Sequence, residues 1–177
     1  MGTVREKVSV LVGVILAILM QIVLAPSITL LFATPNFMLV FCVIMAISIH
    51  SNVCIVAGFV LGLCYNLIGT GHLGLMAVCL LLISFVLVAV FSVIEGNHPI
   101  VAIPTMLISF VLVEMLYALL CIITGTQMSF FDACLYSALP NVLYDMVVAL
   151  VLYPVLSHLF APGAQTPHAT FSNVRMR

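Results

Sequence analysis

Residues 58–75 read Gly-Phe-Val-Leu-Gly-Leu-Cys-Tyr-Asn-Leu-Ile-Gly-Thr-Gly-His-Leu-Gly-Leu. Up to Ile68 the stretch is apolar except for Asn66 and carries no charge. Gly69-Thr70-Gly71-His72 then sets two glycines beside two polar residues, a composition that suits a tight turn. From Leu73 the apolar run resumes and continues to Ile94. The pattern predicts the end of one membrane-spanning helix, a turn and the start of the next. Within the first helix, Gly58 and Gly62 lie one turn apart. They strip side chains from one strip of its surface, so another backbone can approach closely, either within the protein or from a partner.

Outward from this stretch the composition stays the same. Of 177 residues, 66% are hydrophobic and 5% charged, and the mean hydropathy is +1.44. A water-soluble domain carries about a quarter charged residues, so no soluble surface can be built from this chain. A spanning helix needs about 20 apolar residues, with about 17 sufficing in a thin or deformed bilayer. Prolines and polar breaks therefore set the count. They predict an all-α integral membrane protein with six helices in one bundle, spanning about residues 8–25, 36–50, 53–68, 73–94, 100–124 and 141–160.

Pro26 ends the first span, and Ser51-Asn52 separates the second from the third. Glu95-Gly96-Asn97-His98-Pro99 forms the clearest central loop, and Pro99 or Pro104 suits the first turn of the fifth span. Ser129 three residues before Asp132 has the form of a capping box, which predicts a short interfacial helix bearing Phe130, Phe131 and Tyr136. Pro140 opens the last span and Pro154 is expected to bend it. The tail 161–177 is polar, holds Pro162, Gly163 and Pro167, and is expected to be disordered and cytoplasmic.

The run from Val8 to Leu24 is longer than a typical signal core, and Pro26 follows the only plausible cleavage point, Ala25, so a retained first helix is expected. Arg5 and Lys7 place the N-terminus inside by the positive-inside rule, and Arg175 and Arg177 favour the same side for the C-terminus. Both termini inside requires an even number of crossings.

No Lys or Arg occurs between Lys7 and Arg175, which removes any basic stripe for nucleic acid. The six cysteines show no CxxC or Cys/His spacing suited to zinc and read as small packing residues. Neither a nucleophile beside a base nor a phosphate loop occurs, so no catalytic, cofactor or metal site is expected.

Two carboxylates fall inside predicted spans. Glu114 sits near the middle of the fifth, with Tyr117 on the same face, and Asp145 lies in the first third of the sixth, with Asn141 one turn before it and Tyr144 beside it. Charge at bilayer depth costs about 3 kcal/mol on insertion scales, so such groups face a bundle interior and find partners. They read as fastenings between helices or, alternatively, as a proton or ion relay.

The 58–75 stretch resembles the signature of the rod shape-determining protein MreD family, in which Gly-Phe-x-x-Gly-Leu is followed by an acidic residue, a glycine-containing turn and a second Gly-Leu. Gly58, Phe59, Gly62, Leu63, Gly74 and Leu75 match, while Asn66 stands where the family usually has aspartate. The resemblance implies a non-enzymatic subunit of the bacterial wall-elongation machinery in the cytoplasmic membrane. Its implied partners are MreC, the glycosyltransferase RodA and a class B transpeptidase, with MreB linked indirectly. It also implies a fold similar to the substrate-binding subunits of energy-coupling-factor transporters. Gly58, Phe59, Gly62, Leu63, Asn66, Gly74, Glu114 and Asp145 are the candidates for helix packing or partner binding. An alternative is a vitamin-type binding subunit, whose polar pocket would draw on Asn66, His72, Gln127, Asp132 or Asn141.

Overall fold

A computed structural model describes residues 4–29, 34–69, 74–92, 99–125 and 138–160. The expected interfacial helix, His72, Gln127, Asp132, residues 95–98 and the tail lie outside the described residues. Among those described, the chain forms six α-helices and no strand: α1 Val4–Val23, α2 Phe37–Ile49, α3 Asn52–Ile68, α4 Leu75–Phe91, α5 Pro99–Ile123 and α6 Leu139–Phe160. A 3-10 turn, Ala25–Ile28, follows α1.

Three of the helices, α1, α5 and α6, are long and apolar enough to cross a membrane. α2, α3 and α4 are equally apolar but have 13, 17 and 17 residues. At 1.5 Å per residue, α2 extends only about 20 Å. With this composition and these spans, the chain is a membrane protein.

The arrangement is five helices around one. α2 packs against α1, α3, α4, α5 and α6, and these five touch in the cyclic order α1, α3, α4, α5, α6 and back to α1. All of α2 from Phe37 to Ser48 is buried, as expected for a helix with no polar face. The surrounding helices bury only strips. On α1 these are Val10, Gly13 and Ala17, at spacings of three and four; on α6 they are Val142, Asp145, Ala149, Leu156 and Phe160. Large apolar side chains such as Leu11, Phe85, Leu112 and Val151 cover the exterior, where lipid solvates them.

The turn between α2 and α3 is closed by His50, whose φ of 52° puts a non-glycine residue in the left-handed region. Its ring stacks on Phe91 at the end of α4, with centroids 5.7 Å apart and planes 4° apart. Pro99 opens α5, so Pro104 lies inside the helix rather than in its first turn, and Pro154 lies inside α6.

Candidate functional site

The candidate residues separate into a close-packed strip and a polar end of the bundle. The strip is the α3–α4 contact. A Cβ built on Gly62 would lie 2.4 Å from Ala77 Cα and 2.6 Å from the Met76 carbonyl oxygen, both backbone atoms. One on Gly58 would meet Ser84 Oγ at 2.6 Å and the Leu80 carbonyl at 2.9 Å. The two glycines therefore lie closely against α4 of the same chain. Ser84 keeps its hydroxyl on its own helix, donating to the Leu80 carbonyl at 2.7 Å, and the Cys42 thiol points to that carbonyl from α2 at 3.9 Å. Phe59 and Leu63, from the same sequence motif, are turned outward and are 41% and 39% exposed.

Asn66 is buried at the end of α3, facing the start of α4. With its amide oxygen turned toward the N–H groups, it accepts from Gly74 at 2.8 Å and from Leu75 and Met76 at 3.2 Å. These are donors that the first turn of a helix leaves without partners. Gly74 occupies the position before α4 with φ +89°, open to glycine at no steric cost. Asn66 and Gly74 thus form one device, a cap supplied across the turn. The position of Asn66 is an acceptor site at a helix N-terminus, and a neutral amide oxygen fills it.

The N-terminus of α2 is finished in a similar way by three side chains, its own N-cap residue and one each from α1 and α6. Asn36, just before the helix, caps it locally by accepting from the Leu39 N–H at 3.0 Å. Its own backbone N–H donates to Asp145 Oδ1 of α6 at 2.7 Å. The Phe37 N–H donates to Gln21 Oε1 of α1 at 2.8 Å. Beside Asp145, the Tyr144 hydroxyl donates to the Ile28 carbonyl at the end of the 3-10 turn. Asp145 is completely buried, and its second oxygen, Oδ2, has no hydrogen-bond partner among the described residues, nor does Asn36 Nδ2.

Glu114 of α5 is 7% exposed, on a helix that packs against α6. Glu114 and Asp145, both buried, lie on α5 and α6, two helices that pack against each other. Gln21 and Asn36, which meet with Asp145 at the start of α2, went unrecognised in the sequence. Asn36 did carry a local signal, since it follows Pro35 and precedes an apolar run in the N-cap position.

The match that decides the family covers nearly the whole helical part: residues 1–161 fit the family described as rod shape-determining protein MreD. The chain belongs to the MreD family. No match was found among curated proteins or among solved structures. As an MreD-family protein the chain is a cell-shape-determining membrane protein. Gly58 and Gly62 pack α3 on α4, and Asn66 caps α4. No group of three or more His, Cys, Asp or Glu side chains able to hold a metal occurs among the described residues.

Proposed function

We propose that this MreD-family chain is a non-enzymatic scaffold of bacterial wall elongation. It crosses the cytoplasmic membrane six times with both termini inside, and it holds MreC, RodA and a class B transpeptidase through outward helix faces and loops, with MreB linked indirectly. The family match over residues 1–161 carries the reading. The use of the interior polar groups supports it. Asp145, Gln21 and Asn66 are engaged with the ends of neighbouring helices rather than gathered around a substrate.

Six crossings are consistent with the short central helix. A helix of about 20 Å belongs in a membrane only if its terminal backbone groups find partners inside the protein. Asp145, Gln21 and Asn36 supply them at the N-terminal end of α2.

The test is affinity capture of the tagged protein in mild detergent from its native cell. MreC and at least one elongation synthase are expected in the eluate, and their absence under conditions that retain other membrane complexes would overturn the scaffold reading. Reporter fusions at the two termini and in each connection test the six crossings. Nanomolar thermal stabilisation by one vitamin would replace the scaffold with the transporter-subunit alternative.

A further inference from the structure

We propose that the seam between α4 and α5 is a binding site for one acyl chain of a membrane phospholipid, held lengthwise in a groove at mid-bilayer depth. The inference rests on the membrane placement of α5 and is independent of the partners proposed above.

The groove has a buried floor and open sides. Cys79 and Ile83 of α4 and Val113 of α5 line the floor and are 0%, 7% and 1% exposed. Leu82 and Val86 on one side and Leu112 and Leu116 on the other complete it, and Leu82, Val86 and Leu112 stand about half exposed. The α4 residues follow one another at spacings of three, one and three, so they lie along one face of the helix. From residue 79 to residue 86 that face extends about 10 Å. The groove has a volume of about 230 Å³. Spread along its length, this gives a mean cross-section of about 20 Å², which is that of a single extended alkyl chain.

Composition and depth name the occupant. Apart from the Cys79 thiol every lining side chain is hydrocarbon, so water, which needs at least two polar partners, has no place there, and a polar metabolite has nothing to orient it. A partner's helix, about 10 Å across, stays outside. It would send in separate side chains about 5–6 Å apart and leave the groove between them unfilled. A continuous flexible chain fills the groove along its length and restores the dispersion contacts that a void forfeits. Residues 112–116 sit near the middle of α5, Pro99–Ile123, a helix long enough to cross the membrane. About 15 Å of hydrocarbon then separates the groove from either headgroup layer, so the distal half of the acyl chain is the part held.

The experiment uses the full-length protein in vesicles of phosphatidylethanolamine and phosphatidylglycerol containing a phospholipid with a diazirine in the distal half of one acyl chain. After illumination, adducts are mapped by mass spectrometry. They are expected on residues 79–86 and 112–116 at about tenfold the level on residues 147–151 of α6, although Val147 and Val151 there are more exposed. A diazirine beside the glycerol should lose that preference. Val86→Phe and Leu112→Phe bring bulk over the groove from its exposed sides and should reduce labelling to the α6 level, while Val151→Phe should leave it unchanged. Equal labelling of the groove and α6 in the wild type, the same preference with the diazirine beside the glycerol, or undiminished labelling in both groove variants would each overturn the site. The wild-type comparison stands even where a groove variant fails to fold.

A second arm places p-benzoylphenylalanine at Leu82 in the native membrane. Adducts with phospholipid support the assignment; adducts with another protein or with a second copy of the chain, in place of lipid, would overturn it in favour of a helix–helix interface. Capture of MreC bears on the scaffold reading alone, and labelling of the groove by lipid on this proposal alone.

Discussion

The Asp145 carboxylate accepts the Asn36 backbone N–H at 2.7 Å, linking the sixth helix to the start of the second across 109 residues of chain. α2 is buried from Phe37 to Ser48, so the donors of its first turn cannot turn to water, and a side chain from elsewhere must meet them. A carboxylate at that position also faces the positive end of the helix dipole.

Replacing Asp145 therefore separates acceptor from charge. Asp145→Asn keeps an oxygen for the Asn36 N–H and is expected to stay within about 1 kcal/mol of the wild type, whereas Asp145→Leu strands a buried donor and should lose about 3 kcal/mol. Unfolding in mixed micelles measures both. Equal stability of wild type and Asp145→Leu would remove the role assigned to this bond.

The α3–α4 strip makes a graded prediction. Gly62→Ala already drives a methyl into the Ala77 and Met76 backbone, and overpacking of this kind costs about 1–3 kcal/mol. Gly62→Leu and Gly58→Leu should prevent stable assembly, read as loss of the monodisperse peak in size-exclusion chromatography. Leu61 is fully buried, so Leu61→Ala has a cavity cost of its own of about 2–5 kcal/mol. Leu63→Ala, on the outward face, is the neutral comparison. A Gly62→Leu protein as stable as Leu63→Ala would show that the strip is not close-packed.

At the start of α4, Asn66→Asp should be tolerated, because the carboxylate offers the same acceptor to Gly74, Leu75 and Met76 and adds a charge the helix N-terminus favours. Asn66→Leu loses the cap, at about 1–2 kcal/mol. The comparison is made by thermal unfolding of the two variants side by side, and a Leu variant at least as stable as the Asp variant would rule out the cap.

Gly74 isolates backbone conformation from packing. A Cβ there meets nothing within 4 Å among the described residues, yet φ is +89°. Gly74→Ala is expected to cost about 1 kcal/mol or slightly more, from the left-handed backbone alone. Hydrogen exchange at the first amides of α4 should quicken in proportion; unchanged exchange and stability would mean the turn readily adopts another conformation.

Much of this protein was legible in its sequence because lipid imposes a simple demand. Apolar runs between Pro26, Ser51-Asn52, the 69–72 turn and Pro99 mark helices, since no other open structure satisfies its backbone in hydrocarbon. Gly58 and Gly62 marked close packing, and Glu114 and Asp145 marked interior faces, because a bare strip and a charge each have few acceptable surroundings in a bilayer.

Which surface meets the strip, and which groups meet the charges, was decided only by the fold. Uniformly apolar helices give no amphipathic stripe to show which one is central, and α2 became the core because five others close around it. Gly58 faces Ser84 and Leu80, Asn66 caps the helix that follows it, and Asp145 caps a helix more than a hundred residues earlier. Sequence determines what each residue must avoid in a membrane, namely bulk at a close contact and an unsatisfied polar group. Tertiary structure determines which neighbour meets that requirement, because hydrogen bonds and contact surfaces depend on distances in space that sequence separation does not encode.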